Sequence, residues 1–127
     1  MEEVMRGDTN EDVRYGRIIY AWIEDHRGYG KLRPALVLTH NELLAIGAEL
    51  IVAAITTTFP TQRHERMRVP WHPRGITATR LTARSAVVLD WPSTIDSSAI
   101  VGFGGDVPVK LMSIIDARLD ELLEDGK

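Results

Sequence analysis

The sequence predicts a small, mainly β domain with one C-terminal helix, most simply a partly open barrel against which the helix packs. Three features predict it. Short runs rich in β-branched and apolar residues recur from residue 17 to residue 103, turn-forming residues separate them, and helical spacing of apolar residues appears only from Leu111 onward.

Residues 1–14 are polar and acidic without apolar periodicity, so they read as a flexible acidic leader, leaving 15–127 as a single domain. The run 17–23, RIIYAWI, reads as a first strand ending at Glu24-Asp25. Two glycines and polar neighbours make 25–31 a loop, and Pro34 presets an extended entry into a buried second strand, 35–39. A short helical turn is expected within 40–49. The most apolar run of the chain, 50–59, reads as the central strand, stopped by Pro60. Residues 66–71 alternate polar and apolar side chains as a half-exposed strand does, and Pro70 assigns it to an edge. After a turn at 73–75, residues 85–89 form a further buried strand and 100–103 a short last one, with 102–105 as the turn into the helix. In the tail, Leu111, Ile114, Ile115, Leu119, Leu122 and Leu123 fall on one helical face. Asp106 is its candidate cap, Pro108 is tolerated in its first turn, and Gly126 ends it.

A chain of 127 residues has room for one core. The absence of cysteine excludes a disulfide framework and thiolate chemistry, and no stretch approaches the length of a bilayer span, so a cytoplasmic protein with no membrane partner is expected. The net charge of −3 conceals a division: −4 over residues 1–25, +6 over 26–84 and −5 over 85–127. A basic middle is the footprint of phosphate binding, although a solvated surface whose signs segregate along the chain explains it equally well. The four histidines lack ligand spacing such as HxxxH, and no phosphate-cradling glycine loop is present, so neither a metal nor a cofactor is expected. Trp22, Trp71 and Trp91 read as packing residues. Trp71, flanked by Arg68 and His72, is the best of them for stacking on a base.

Four motifs carry a resemblance. Lys31-Leu32-Arg33-Pro34-Ala35-Leu36-Val37-Leu38 follows a glycine-bearing loop, Ile51-Val52-Ala53-Ala54-Ile55-Thr56 comes one strand later, and Ala86-Val87-Val88-Leu89-Asp90 and Thr94-Ile95-Asp96 follow. Their order and spacing over residues 16–123 resemble the MazF/PemK family of type II toxin–antitoxin ribonucleases. The resemblance implies an SH3-like barrel of the MazF/CcdB type, a homodimer, cleavage of single-stranded RNA without metal or cofactor, and neutralisation by a cognate antitoxin. It also matches Arg33 and Thr56 to the pair on which cleavage depends. The residue types suit that chemistry, because RNA carries its own nucleophile in the 2′-hydroxyl. Arg33 offers a permanently charged fork for the phosphoryl oxygens, and Thr56 a short hydroxyl that orients the same phosphate.

Arginine is a poor general base, so His26, in the loop before Arg33, and His64, beyond the central strand, are the candidate proton carriers. Lys31, Arg27, Thr57, Arg63, Arg66 and Arg68 are the candidate RNA contacts along a groove. Without the resemblance these are solvated charges, Arg33 is a structural arginine paired with an acidic residue, and Thr56 is a good strand former. Where the family commonly has an acidic-Gln-hydrophobic-Arg run before Thr-Ile-Asp, this chain has Asp90-Trp91-Pro92-Ser93. The resemblance is thus to a divergent member, in which the family's RNA contacts on that side are not expected to be kept. The competing function is a non-catalytic binding module on the same barrel, a degenerate toxin or a gyrase-inhibitor-like protein.

Overall fold

Alternating side chains along the apolar runs settle six antiparallel strands into one sheet with two buried faces. The computed structural model describes residues 13–24, 28–57 and 65–125. Within them the elements are β1 (Arg17–Glu24), β2 (Gly30–Val37), α1 (Asn41–Ala45), β3 (Leu50–Thr56), β4 (Arg66–Val69), β5 (Ser85–Ile95), a 3₁₀ turn (Ser97–Ala99), β6 (Ile100–Asp106) and α2 (Val109–Asp125). The strand order is β4-β5-β3-β2-β1-β6, so the sheet is open, with β4 and β6 at its edges. Pro70 directly follows the edge strand β4, as its missing N–H requires.

Strand parity sorts the core. Ile18, Leu36, Ala53, Ile55, Val87 and Leu89 point to one face, where α2 covers them with Met112 and Ile115. Ile19, Ala21, Ile23, Ala35, Val37 and Val52 point to the other, against Val13, Leu44, Ile100 and Phe103. The helical face is rotated from the expected one: Met112 and Ile115 are buried, while Ile114 and Leu123 stand in solvent. Six apolar positions span too wide an arc for one contact stripe, and the side facing the sheet takes only part of it.

Three strand boundaries differ from expectation, each because tertiary pairing overrides a local signal. β2 begins at Gly30 instead of residue 35, since Glu24 pairs with Gly30 and Ile23 with Lys31, drawing the expected loop into a hairpin. Pro34 is then inside a strand, just where the β2–β3 ladder, starting at Ala35, ends. β5 continues to Ile95, because its second half pairs with the start of β3 from Ala53↔Pro92 to Leu50↔Ile95. Gly102, Gly104 and Gly105 belong to β6 and are not a turn. A Cβ on Gly105 would lie 1.9 Å from the Ala78 carbonyl oxygen, so the glycine is there for close approach. At that contact Gly105 N–H donates to Thr79 O and Asp106 N–H to Ala78 O, at 3.1 and 2.8 Å. Asp106 does not cap α2: its carboxylate accepts from Arg14 Nε and Nη2, at 3.2 and 2.8 Å. β3 ends at Thr56, and Phe59 and Gly126 lie outside the described residues.

Side chains tie α2 to the sheet. Tyr15 stacks on His40, with ring centroids 4.1 Å apart, and its hydroxyl donates to Asp116 Oδ2 at 2.5 Å, 3.0 Å from which lies His40 Nε2. Burial, then the Asp116 carboxylate, hold the Tyr15 hydroxyl well above the usual phenol range. At the β4 end, Arg118 Nε and Nη2 donate in parallel to the two Glu65 oxygens at 2.8 and 2.7 Å. Those bonds hold the Glu65 carboxyl below its usual range.

Gly105→Ala is expected to cost about 3 kcal/mol or more, because the added carbon meets rigid backbone; urea denaturation measures it. Glu65→Gln is expected to lower stability by at most about 1 kcal/mol near neutrality, as befits a half-exposed pair. The folded carboxyl titrates below the unfolded one, so this contribution is present above the unfolded value near 4.5 and lost as pH falls through the folded value. Melting curves of the two proteins should therefore converge in acid; a gap that persists there assigns the effect to something other than this ion pair.

Candidate functional site

The pairing of β2 with β3 builds the site. Ala35 faces Ala54, Leu36 faces Ala53 and Val37 faces Val52, and strand parity puts Arg33 and Thr56, beyond the end of that ladder, on the face of Ala35 and Ala54. Directly opposed residues of an antiparallel pair share a face, with Cβ atoms about 5 Å apart. Thr56 in turn pairs with Ala86, which pairs with Arg68, while Arg66 pairs with Val88. The face that carries Arg33 and Thr56 thus also carries Arg66 and Arg68. It is the face turned away from α2.

β5 breaks its register at this place. Between Ile55↔Val87 and Ala53↔Pro92, the single residue Ala54 faces the four residues Val88, Leu89, Asp90 and Trp91. A bulge of this kind bends a strand and re-aims its side chains, and a proline just after it is tolerated because the ladder is already interrupted. Beside it lies a cleft of about 680 Å³ lined by Arg33, Thr56, Arg66, Asp90 and Trp91. Ala54 supplies a low floor and Glu24, at the end of β1, a second carboxylate.

Arg33 is half-buried, and its Nε is buried without a hydrogen-bond partner among the described residues. Such an atom costs about 1–3 kcal/mol if nothing meets it. A structural arginine would have its fork filled by a carboxylate, as Arg118 has by Glu65. Arg33 instead lines the cleft in a position to receive an oxyanion.

The cleft gathers Arg33, Thr56 and Arg66 from the expected set. Lys31 and Arg68 are exposed on the same face but outside the cleft wall, and Thr57 is exposed at the bend after β3. Arg27, Arg63, His26 and His64 lie outside the described residues. Sequence reasoning missed Glu24, Asp90 and Trp91. Trp91, 53% exposed, lines the cleft, and Trp71, 39% exposed, does not. The only signal for this was the proline at residue 92, which marks an irregular strand. Among the described residues no three His, Asp or Glu side chains converge as metal ligands do, and no helix is long and apolar enough to cross a membrane.

The chain is an open antiparallel sheet backed by one helix, with a cleft on its far face lined by two arginines and two carboxylates. The sequence matches, over residues 14–123, the family described as PemK-like, MazF-like toxin of type II toxin–antitoxin system, and the chain belongs to that family. Its fold is that of solved MazF proteins. MazF from Deinococcus radiodurans superposes with a TM-score of 0.67 at 18% identity, over 87% of this chain and 96% of that one. Toxin MazF-mt6 from Mycobacterium tuberculosis gives 0.60 at 19%, over 84% and 96%. An endoribonuclease in complex with its cognate antitoxin, from a mycobacterial species, gives 0.62 at 21%, over 87% and 94%. No curated protein matches the sequence. The mainly β fold with its C-terminal helix, expected from the resemblance, is the fold observed.

Arg33→Met is expected to leave thermal stability unchanged or to raise it by about 1 kcal/mol, since it removes a buried unpartnered donor and keeps the stem. A loss above about 2 kcal/mol in denaturant titration would return Arg33 to a structural role.

Proposed function

We propose that this protein is an endoribonuclease toxin that cleaves single-stranded RNA, with Arg33 clamping the scissile phosphate and Thr56 orienting it. The observation that carries this reading is that Arg33 and Thr56, on the adjacent strands β2 and β3, line one cleft with Arg66. In the reaction the 2′-oxygen bonds to the adjacent phosphorus and the bond from phosphorus to the 5′-oxygen breaks. One proton leaves the 2′-hydroxyl and one reaches the departing 5′-oxygen. Negative charge grows on the non-bridging oxygens, where a guanidinium fork in a partly desolvated cleft is most effective. The Thr56 hydroxyl donates to the same phosphate, and Arg66 faces it from β4.

The nucleophile belongs to the substrate, so no cofactor is required and a metal has no obligatory step. Glu24 and Asp90 place carboxylates in the cleft, the groups there able to accept the 2′-hydroxyl proton. His26 and His64 remain carriers proposed from sequence. Family membership supports a cognate antitoxin as the regulating partner and a homodimer as the working form. It favours catalysis over a purely binding role, as does an arginine left without a protein partner at its buried Nε.

Incubation with long single-stranded RNA followed by end mapping should yield 2′,3′-cyclic phosphate and 5′-hydroxyl ends, undiminished by EDTA. Arg33→Ala is expected to lower the rate at least about 100-fold, and Thr56→Val about 10-fold or more, with folding intact. Intact RNA across many sequences at high protein concentration would falsify the reading.

A further inference from the structure

Where α1 and the second half of α2 approach β3 and β5 lies a groove of about 780 Å³ that no step of RNA cleavage uses. Its lining is largely aliphatic, with Leu38, Leu89, Leu119 and Leu122 continuing the core that α2 covers. Leu43 and Leu123 line it too, and they are 47% and 70% exposed. Exposed leucines gathered in a concave site, and joined to the core beneath it, mark a docking surface.

The charges in this lining are of one sign. Glu49, Asp90, Asp116 and Asp120 line the groove, and among the described residues no Lys or Arg does. The other titratable group there is His40, whose Nε2 already lies 3.0 Å from Asp116 Oδ2. The end of α2 strengthens the field. A helix closes on unsatisfied carbonyl groups with partial negative charge, which a basic residue in the last turn ordinarily offsets. α2 has no basic residue in its last turn, while Asp120, Glu121 and Glu124 stand near that end. Arg118, further back, is bound to Glu65 and Glu121, and Lys127 lies outside the described residues.

We propose that this groove is a docking site for another protein, which enters it with an amphipathic helix, apolar on one face and carrying Lys or Arg beside that face. Charge selects the occupant. Nucleic acid and anionic lipid are repelled by the carboxylates. A second copy on a two-fold axis brings Glu49, Asp116 and Asp120 against their own counterparts, with no Lys or Arg among the described lining residues to meet them. A basic helix instead buries its apolar face on the leucines and sets its cations among the carboxylates and against the negative end of α2. The proposal goes beyond the RNA-cleaving reading and does not depend on it. Asp90 lines both the groove and the cleft at Arg33, so a docked helix lies next to that cleft.

The probe is a fluorescent helical peptide of leucine and lysine with leucine along one face, and its control is the same peptide with glutamate in place of lysine. The intact protein should bind the lysine peptide at least about 10-fold more tightly than the glutamate one, and the difference should shrink as salt rises. Leu43→Ser and Leu123→Ser should each weaken the lysine peptide about 5-fold or more, and Glu49→Gln with Asp120→Asn together by a similar factor. Ile76→Ser, at an exposed apolar residue outside the groove, should leave it unchanged. Melting curves check that each variant folds, and the comparison of the two peptides on the wild type stands independently of any variant. Equal affinity for the two peptides, or affinities of Leu43→Ser and Leu123→Ser within about twofold of wild type, overturns the proposal. So does a self-association, followed by sedimentation, that Leu43→Ser or Leu123→Ser dissolves, because it gives the groove to a second copy. None of these results bears on RNA cleavage by the wild type, which end mapping reads separately.

Discussion

The register between β2 and β3 is the constraint on which the rest of the molecule depends. Three pairs, Ala35↔Ala54, Leu36↔Ala53 and Val37↔Val52, fix it, and the period of two does the remainder. With this pairing Leu36, Ala53 and Ile55 face α2, and Arg33 and Thr56 face the cleft. A slip of one residue on either strand would put a guanidinium among Leu89, Met112 and Ile115 or take Thr56 away from it. The penalty for burying that charge in an aliphatic core is large enough that core and site select the same register. The site is therefore a consequence of the core's parity, and its geometry is as rigid as the sheet.

The second determinant is the bulge in β5, which interrupts the ladder so that one strand can serve two neighbours. Before the bulge, β5 pairs with β4 and the end of β3; after it, β5 pairs with the start of β3 alone. Ladder bonds forgone at Ala54 are a local loss of stability, and the unmet Nε of Arg33 is another. Both losses fall in one cleft, where small side chains leave the sheet floor low. On the helix side Arg118 is paired twice, to Glu65 and Glu121, and Tyr15, His40 and Asp116 form one cluster.

What the sequence made legible follows from how local each signal is. The runs at 17–23 and 50–56 show as strands because β-branched residues dominate them, and both strands are present. The start of β2 was hidden because Gly30 and Lys31 look like loop and become strand only through pairing with Glu24 and Ile23. The glycines of β6 looked like a turn, since nothing local says that the Ala78 and Thr79 backbone will press against Gly105. Arg33 and Thr56, matched to the motifs by resemblance, line the same cleft. Trp91 was misjudged because composition favours burying a tryptophan, whereas the bulge that exposes it depends on pairs thirty-odd residues away in sequence. Trp71 drew attention through its neighbours in sequence, Arg68 and His72, and neighbours in sequence are a poor guide to neighbours across a sheet.

The division of charge along the chain is likewise transformed by folding. The basic middle contributes Arg33 and Arg66 to the cleft, but the acidic ends return to it: Glu24 comes from the first segment and Asp90 from the last. Among the described residues the cleft thus brings two arginines and two carboxylates together. A field of like charges would hold RNA anywhere along its backbone, whereas a clamp bounded by repulsive groups admits a phosphate at one point and rejects it a few ångströms away. If the cleft holds RNA as proposed, discrimination between one phosphodiester and the next would begin with the electrostatics of the cleft walls, before any base is read.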